Sequence, residues 1–246
     1  MQNYMAIVEY DGTGYSGFQQ QPGETRTVQG ELLKAICKIL NETVRIEYSG
    51  RTDAGVHSRG QTINFKTGKN LDFYRFRWSV NSLLPDDIAL RNISNVDIGF
   101  NARRDAKMRE YCYYVVNNSS QSVFLKRYSI LISRKLDMRL MKKAAGIFIG
   151  KKDFKSFCRK SCTGRNTVRE IYDFSVSRNN DNMITFKILA NSFLYNMVRI
   201  IVVAVLEVGE GSRGIQSLEN ALISEDRSIS KKMAPAKGLF LNRVIY

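Results

Sequence analysis

One histidine, His57, occurs in 246 residues, and the four cysteines, Cys37, Cys112, Cys158 and Cys162, include no CxxC pair. That inventory cannot complete the usual Cys/His zinc sets and offers no disulfide framework, so no metal is expected. Cys158 and Cys162, at C-x3-C spacing, read as ordinary free thiols. A secretory opening is also lacking: MQNYMAIVEY has no charged segment followed by a long apolar run, which predicts a cytoplasmic protein. The most apolar window, FLYNMVRIIVVAVLEV from Phe193, is shorter than a bilayer span and carries Arg199 and Glu207. It reads as a buried helix, and no membrane partner is expected. Acidic residues are in short supply, 23 against 38 Lys+Arg, for a net charge of +15. Such a surplus favours a polyanionic partner, because each basic group that neutralises a phosphate releases condensed counterion. Nucleic acid is the first candidate.

Hydrophobic periodicity divides the chain into two similar runs of elements. MAIVEY (5–10), TVRIEY (43–48), QTINFK (61–66) and IALRNISNV (88–96) alternate as strands. Between them, TVQGELLKAICKIL repeats apolar residues at helical spacing with Thr27 as cap, and a helix over 71–84 ends at Pro85. The second half predicts strands over 110–117, 169–177 and 182–190, a helix over 137–148, a long helix over 191–208, a shorter one over 215–223, and a final strand LFLNRVIY. Two tandem β-α-β-β-α-β units predict an α+β protein of two ferredoxin-like (RRM-like) halves packed around a basic catalytic cleft. The expected domains are 1–104, which carries the loop of Asp53, and 105–246, with the boundary near residues 101–107. Modules of this kind bind RNA on open sheet faces.

Three features carry candidate chemistry. SGRTDAGVHSRGQ (49–61) separates two strand-like runs and holds Arg51, Asp53, His57 and Arg59 among three glycines. Gly50, Gly55 and Gly60 let the backbone fix Asp53 in one pose, and the two arginines favour its charged form. An ionised, posed carboxylate serves as a nucleophile, a base or an electrostatic partner of an oxocarbenium-like sugar, and it equally fits a simple Asx-turn. Arg199 sits in a helix apolar on nearly every side, which demands an acidic partner or a narrow polar stripe. Tyr111 and Tyr113 share one face of a strand and Tyr114 takes the other, so a tyrosine beside basic residues is available to stack a base. GTGYSG (12–17) matches G-x-G-x-x-G, but FQQQPG follows where a dinucleotide loop must open a helix. It reads instead as a glycine loop beside the active cleft, where RNA backbone can approach. His57 has no nucleophile in a recognisable arrangement and reads as turn scaffold.

These motifs together resemble the tRNA pseudouridine synthase A (TruA) family, nearly end to end. SGRTDAGVHSRGQ is similar to its signature loop, EYDGTGYSGFQQQ and TVQGELLKA to its opening strand, loop and helix, and FNARRDAKMREYCYYV and ANSFLYNMVRIIV to its second and third motifs. LPDDI, GKKDFKSF and APAKGLFL also fit. The resemblance implies that Asp53 is the catalytic nucleophile, that Tyr111 packs on the target base, and that Arg199 pairs with the aspartate. Arg51 is expected to bind substrate. It further implies a cofactor-free isomerase, a homodimer that grips the anticodon stem-loop of tRNA, and target uridines at positions 38, 39 and 40. Val203 stands where the family usually has glycine and Ile200 where asparagine is common, and neither replaces a reacting group. Two other readings remain open from sequence: a non-catalytic RNA-binding protein, and a pseudouridine synthase acting on another RNA.

Overall fold

The computed structural model describes residues 1–23, 25–159, 166–224 and 232–246. It is a mixed α/β fold that divides into two compact units, Met1–Lys107 with Phe240–Tyr246, and Met108–Leu239.

In the first unit, β1 (Gln2–Tyr10) leads to α1 (Val28–Leu40), β2 (Glu47–Tyr48), β3 (His57–Thr67), α2 (Phe73–Asn81) and β4 (Ile88–Val96). Tyr4, Ala6 and Val8 alternate inward on β1 and are fully buried, as period-2 geometry requires. They meet Val28, Leu32 and Ile36 of α1, whose i, i+4, i+8 spacing places them on one stripe. Each such side chain taken from water contributes about 1.5–3 kcal/mol. Thr27 caps α1, its Oγ1 accepting from Gly30 N at 3.3 Å, and Asn41 ends it in the left-handed region at φ 48°. β1 lies between β3 and β4, antiparallel to both.

The second unit runs β5 (Met108–Val116), β6 (Ile130–Leu131), α3 (Met138–Gly146), β7 (Gly150–Asp153), β8 (Val168–Arg178), β9 (Met183–Ala190), α4 (Met197–Gly209) and α5 (Gln216–Ser224). Its strands are ordered β5-β9-β8-β7, with antiparallel neighbours and the short β6 parallel to β5. An aromatic core of Phe148, Phe154, Phe157, Phe174 and Phe186 fills the space beneath the sheet, with Phe148 and Phe157 edge to face at 5.0 Å. Asp137 caps α3 by accepting from the backbone of Leu140 and Arg139, and these bonds hold its carboxyl below the usual range.

The last strand, β10 (Leu239–Ile245), pairs in parallel with β3, Phe240 beside His57 and Leu241 beside Ser58. One edge of β3 is occupied by β1, so its other edge is shared by β2 at Asn64 and Ile63 and by β10 further back. The expected strand over 43–48 contracts to Glu47–Tyr48. Val44 and Ile46 are buried as alternation predicts, but only Glu47 and Tyr48 pair before the chain leaves the sheet.

Two further boundaries differ from the sequence reading. β3 starts at His57, so His57 to Gly60 belong to a strand and the loop shrinks to residues 49–56. The long helix starts at Met197, not at residue 191, because Asn191 Oδ1 accepts from Glu170 N and Ser192 N and Asn196 is left-handed at φ 64°. An apolar pattern alone does not register these side-chain bonds to the backbone, which compete with helix. Among the described residues no helix is long and apolar enough to cross a membrane.

Candidate active site

Residues 49–56 are held at both ends and from behind. At the entry, Ser49 Oγ donates to Gln61 Oε1, and Gln61 Nε2 donates to Gly50 O at 2.7 Å. Thr52 is buried, its hydroxyl 2.7 Å from the phenol of Tyr10 and its carbonyl accepting from Phe18 N at 3.2 Å. At the exit, Gly55 N donates to Tyr15 O at 3.4 Å and Val56 N donates back to Asp53 O at 3.1 Å. Gly55 has φ 75°, the one glycine of this loop that uses the left-handed region. Asp53 is thus a half-buried residue of a turn whose flanking residues are pinned.

The glycine loop over 12–17 supplies the rear wall. A Cβ on Gly12 would lie 2.0 Å from Val56 O, and one on Gly17, at φ 99°, would lie 2.8 Å from Thr52 O. The backbone approach made possible by Gly12 and Gly17 is therefore that of the Asp53 loop itself. A short 3-10 turn, Gly12–Gly14, capped by Asp11, stands where a dinucleotide site would need a helix.

His57 is fully buried and stacks on Phe240 at 4.5 Å. Its Nδ1 accepts from Gly12 N at 3.1 Å, so the neutral ring carries its proton on Nε2. Asp11 Oδ1 lies 3.0 Å from the same nitrogen. In the neutral ring that oxygen draws its bonds from the amide and hydroxyl of Thr13, at 2.9 and 2.6 Å. Gly60 is a packing glycine: its Cβ would lie 2.6 Å from Asn242 O on β10. Arg51 is exposed, 3.5 Å from Gln19 Oε1, and Arg59 lies over the ring of Phe240 at 5.0 Å.

In the second unit, Tyr111 lies on β5 opposite Ile188 and meets Phe193 edge-on at 5.1 Å. Tyr113, two residues on, is fully buried, its hydroxyl donating to Pro235 O at 2.8 Å against Gly238, where a Cβ would reach the ring at 2.7 Å. Burial pushes its phenol up strongly, with the charge of Arg199 working against that rise. The two tyrosines therefore divide, Tyr113 to the core and Tyr111 only partly enclosed. Arg199 stands in the first turn of α4 and is half-buried. Its Nε donates to Ala234 O at 2.7 Å, and Ala234 N donates to Arg199 O at 3.1 Å. This double clasp uses a backbone carbonyl that no side-chain pattern reveals, although it falls in the APAKG segment singled out by sequence. Cys158 is buried; its spacing partner Cys162 lies outside the described residues.

Comparison with known proteins bears on the same residues. The family described as tRNA pseudouridine synthase matches residues 6–103 and 144–246, which include Arg51, Asp53 and Arg199, with Tyr111 between the two blocks. The chain is 42% identical to tRNA pseudouridine synthase A of Brevibacillus brevis over 100% of both chains. It is 38% identical to the protein of that name from Caldicellulosiruptor bescii, again over 100% of both. With the protein from a Geobacillus species it shares 41% identity over 97% of this chain and 96% of the other.

Proposed function

The chain belongs to the tRNA pseudouridine synthase A family, and from that premise we propose that Asp53 is the nucleophile with which it isomerises uridine in tRNA. The activity itself, an isomerase reaction on tRNA, comes with family membership at this identity over full length. The reaction breaks the N1 to C1′ bond, turns the uracil, and joins C5 to C1′ with loss of the C5 hydrogen. It involves no net oxidation and no hydrolysis, so one posed carboxylate and a base-holding surface account for the chemistry.

The observation that carries the assignment is the pinning of Thr52 and Val56 on either side of the half-buried Asp53. A nucleophile held by backbone bonds spends little entropy on reaching its target. Attack at C1′ of the sugar, attack at C6 of the base and assistance in removing a C2′ proton all suit that carboxylate. Tyr111 is proposed to stack on the flipped uracil, Arg51 to bind a substrate phosphate, and Arg199 to pair with the Asp53 carboxylate.

Arg199→Ala is then expected to lower kcat about a hundredfold, the loss of one charge-stabilising contact. It should also cost about 1 kcal/mol of stability through the lost bond to Ala234 O, read by thermal denaturation. Full activity in this variant would remove the proposed pairing.

We further infer that both units are ferredoxin-like. The order β4-β1-β3 with β2 on the far side of β3, all antiparallel, supports this for the first, and β5-β9-β8 supports it for the second. The proposed target is the anticodon stem-loop, at positions 38, 39 and 40, and the proposed state is a cytoplasmic homodimer. Mapping pseudouridine on transcripts in which each of these uridines is replaced singly should show product at the remaining ones. Product elsewhere in the RNA would reassign the target.

A further inference from the structure

Helix α2 turns Phe76 and Val80 into the core of the first unit and leaves Tyr74 and Trp78 pointing outward, 70% and 66% exposed. Residues four apart on a helix are neighbours, so the two rings form one aromatic surface. Single exposed apolar side chains need no explanation, but paired large aromatics on a solvent face are costly to leave in water. Arginines border this surface. Arg77 lies 6.0 Å from the centre of the Tyr74 ring and donates to Arg91 O on the neighbouring β4 at 3.3 Å. Arg75 and Arg91 are themselves 86% and 62% exposed along their side chains, near Asp72 and Glu9 at 3.6 and 3.5 Å. Three guanidinium groups thus outnumber two carboxylates around two open π faces.

We propose that this face of α2 is an RNA contact outside the catalytic centre, where an unstacked tRNA base lies on Trp78 and Tyr74 and the arginines hold the adjoining phosphates. Aromatic surface interleaved with guanidinium is the arrangement that binds single-stranded nucleic acid without reading its sequence. A second copy of the chain is the less suited occupant, since a symmetric contact would set the same arginines against one another. The proposal rests on tRNA being the substrate and is independent of which residue performs the chemistry.

Trp78 is the only tryptophan in the chain, so its emission reports on this face alone. Titration of the full-length protein with an unmodified tRNA transcript should quench that emission, with a midpoint matching binding measured by filter retention. Trp78→Ala should raise the tRNA Kd and KM about tenfold, the contribution of one stacked base, with kcat held, and Trp78→Phe should recover most of the loss. Arg75→Gln should lower the slope of log Kd on log salt by about one. Asp53→Asn should keep the quench while losing chemistry, which separates failure of this proposal from failure of the nucleophile assignment. The proposal is overturned if emission is unchanged when tRNA is bound, or if Trp78→Ala binds tRNA as wild type does. It is also overturned if emission follows protein concentration without RNA, together with a doubled mass in sedimentation, because a second copy then covers the face.

Discussion

Asp53→Asn is expected to reduce pseudouridine formation by more than about a thousandfold while leaving the fold and tRNA affinity close to wild type. The substitution keeps the size and shape of the side chain and removes its charge. Asp53 O, which accepts from Val56 N, is a backbone atom and is untouched, as are the bonds of Thr52 and Gly55 on either side. The turn therefore stays in place, and the reaction loses its nucleophile because a neutral amide does not take that role. Affinity persists because it comes mainly from basic groups on phosphates, drawn from a chain of net charge +15. The measurement is tritium release from tRNA labelled at uridine C5, the atom that gives up its hydrogen when C5 joins C1′. A wild-type rate in this variant would remove Asp53 from the mechanism and leave the family assignment standing.

Gly12→Ala is expected to cost about 3 kcal/mol and to lower Tm by roughly 10 °C, although residue 12 is no candidate for chemistry. Gly12 is not among the positive-φ glycines, so alanine suits its backbone angles. The cost arises from space alone: the new methyl would lie 2.0 Å from Val56 O and 2.6 Å from Val56 C, both backbone atoms that no side-chain rotation clears. Relief requires the rear wall and the 52–56 turn to separate. That movement shifts Asp53, so kcat should fall well beyond what lost folded protein explains. Gly50→Ala is the matched control in the same loop, with nothing within 4 Å of its Cβ and no positive φ, and it should behave as wild type. Equal stability of the two variants would show that the wall yields easily and does not pose the aspartate.

Much of the first unit was legible in the chain because its signals are local. Thr27 before an apolar stripe marks a helix start, and IALRNISNV forms β4 over the residues its alternation predicts. The longer elements of the second half followed from periodicity in the same way, while the short strands β6 and β7 were not read from it. Where the reading slipped, a side chain or a distant strand had taken backbone bonds that local pattern assigned elsewhere. Asn191 and Asn196 delay α4 by a turn and a half, and β10 pairs with His57 and Ser58, residues that local pattern assigned to the loop.

The site divides along the same line. Residue chemistry and spacing singled out Asp53 between Arg51 and Arg59, Arg199, and the tyrosines Tyr111, Tyr113 and Tyr114, because charge, aromaticity and glycine punctuation are properties of the chain; the family resemblance chose Tyr111 among the three. Tertiary structure alone decided that Gly12 and Gly17 make room for the Asp53 loop, that Gly60 makes room for β10, and that Tyr113 goes to the core while Tyr111 stays partly open. It also decided that Arg199 is steadied by the carbonyl of Ala234. These contacts each involve a backbone atom far away in sequence, and a carbonyl oxygen is the same in every residue, so no residue type announces which one will be used.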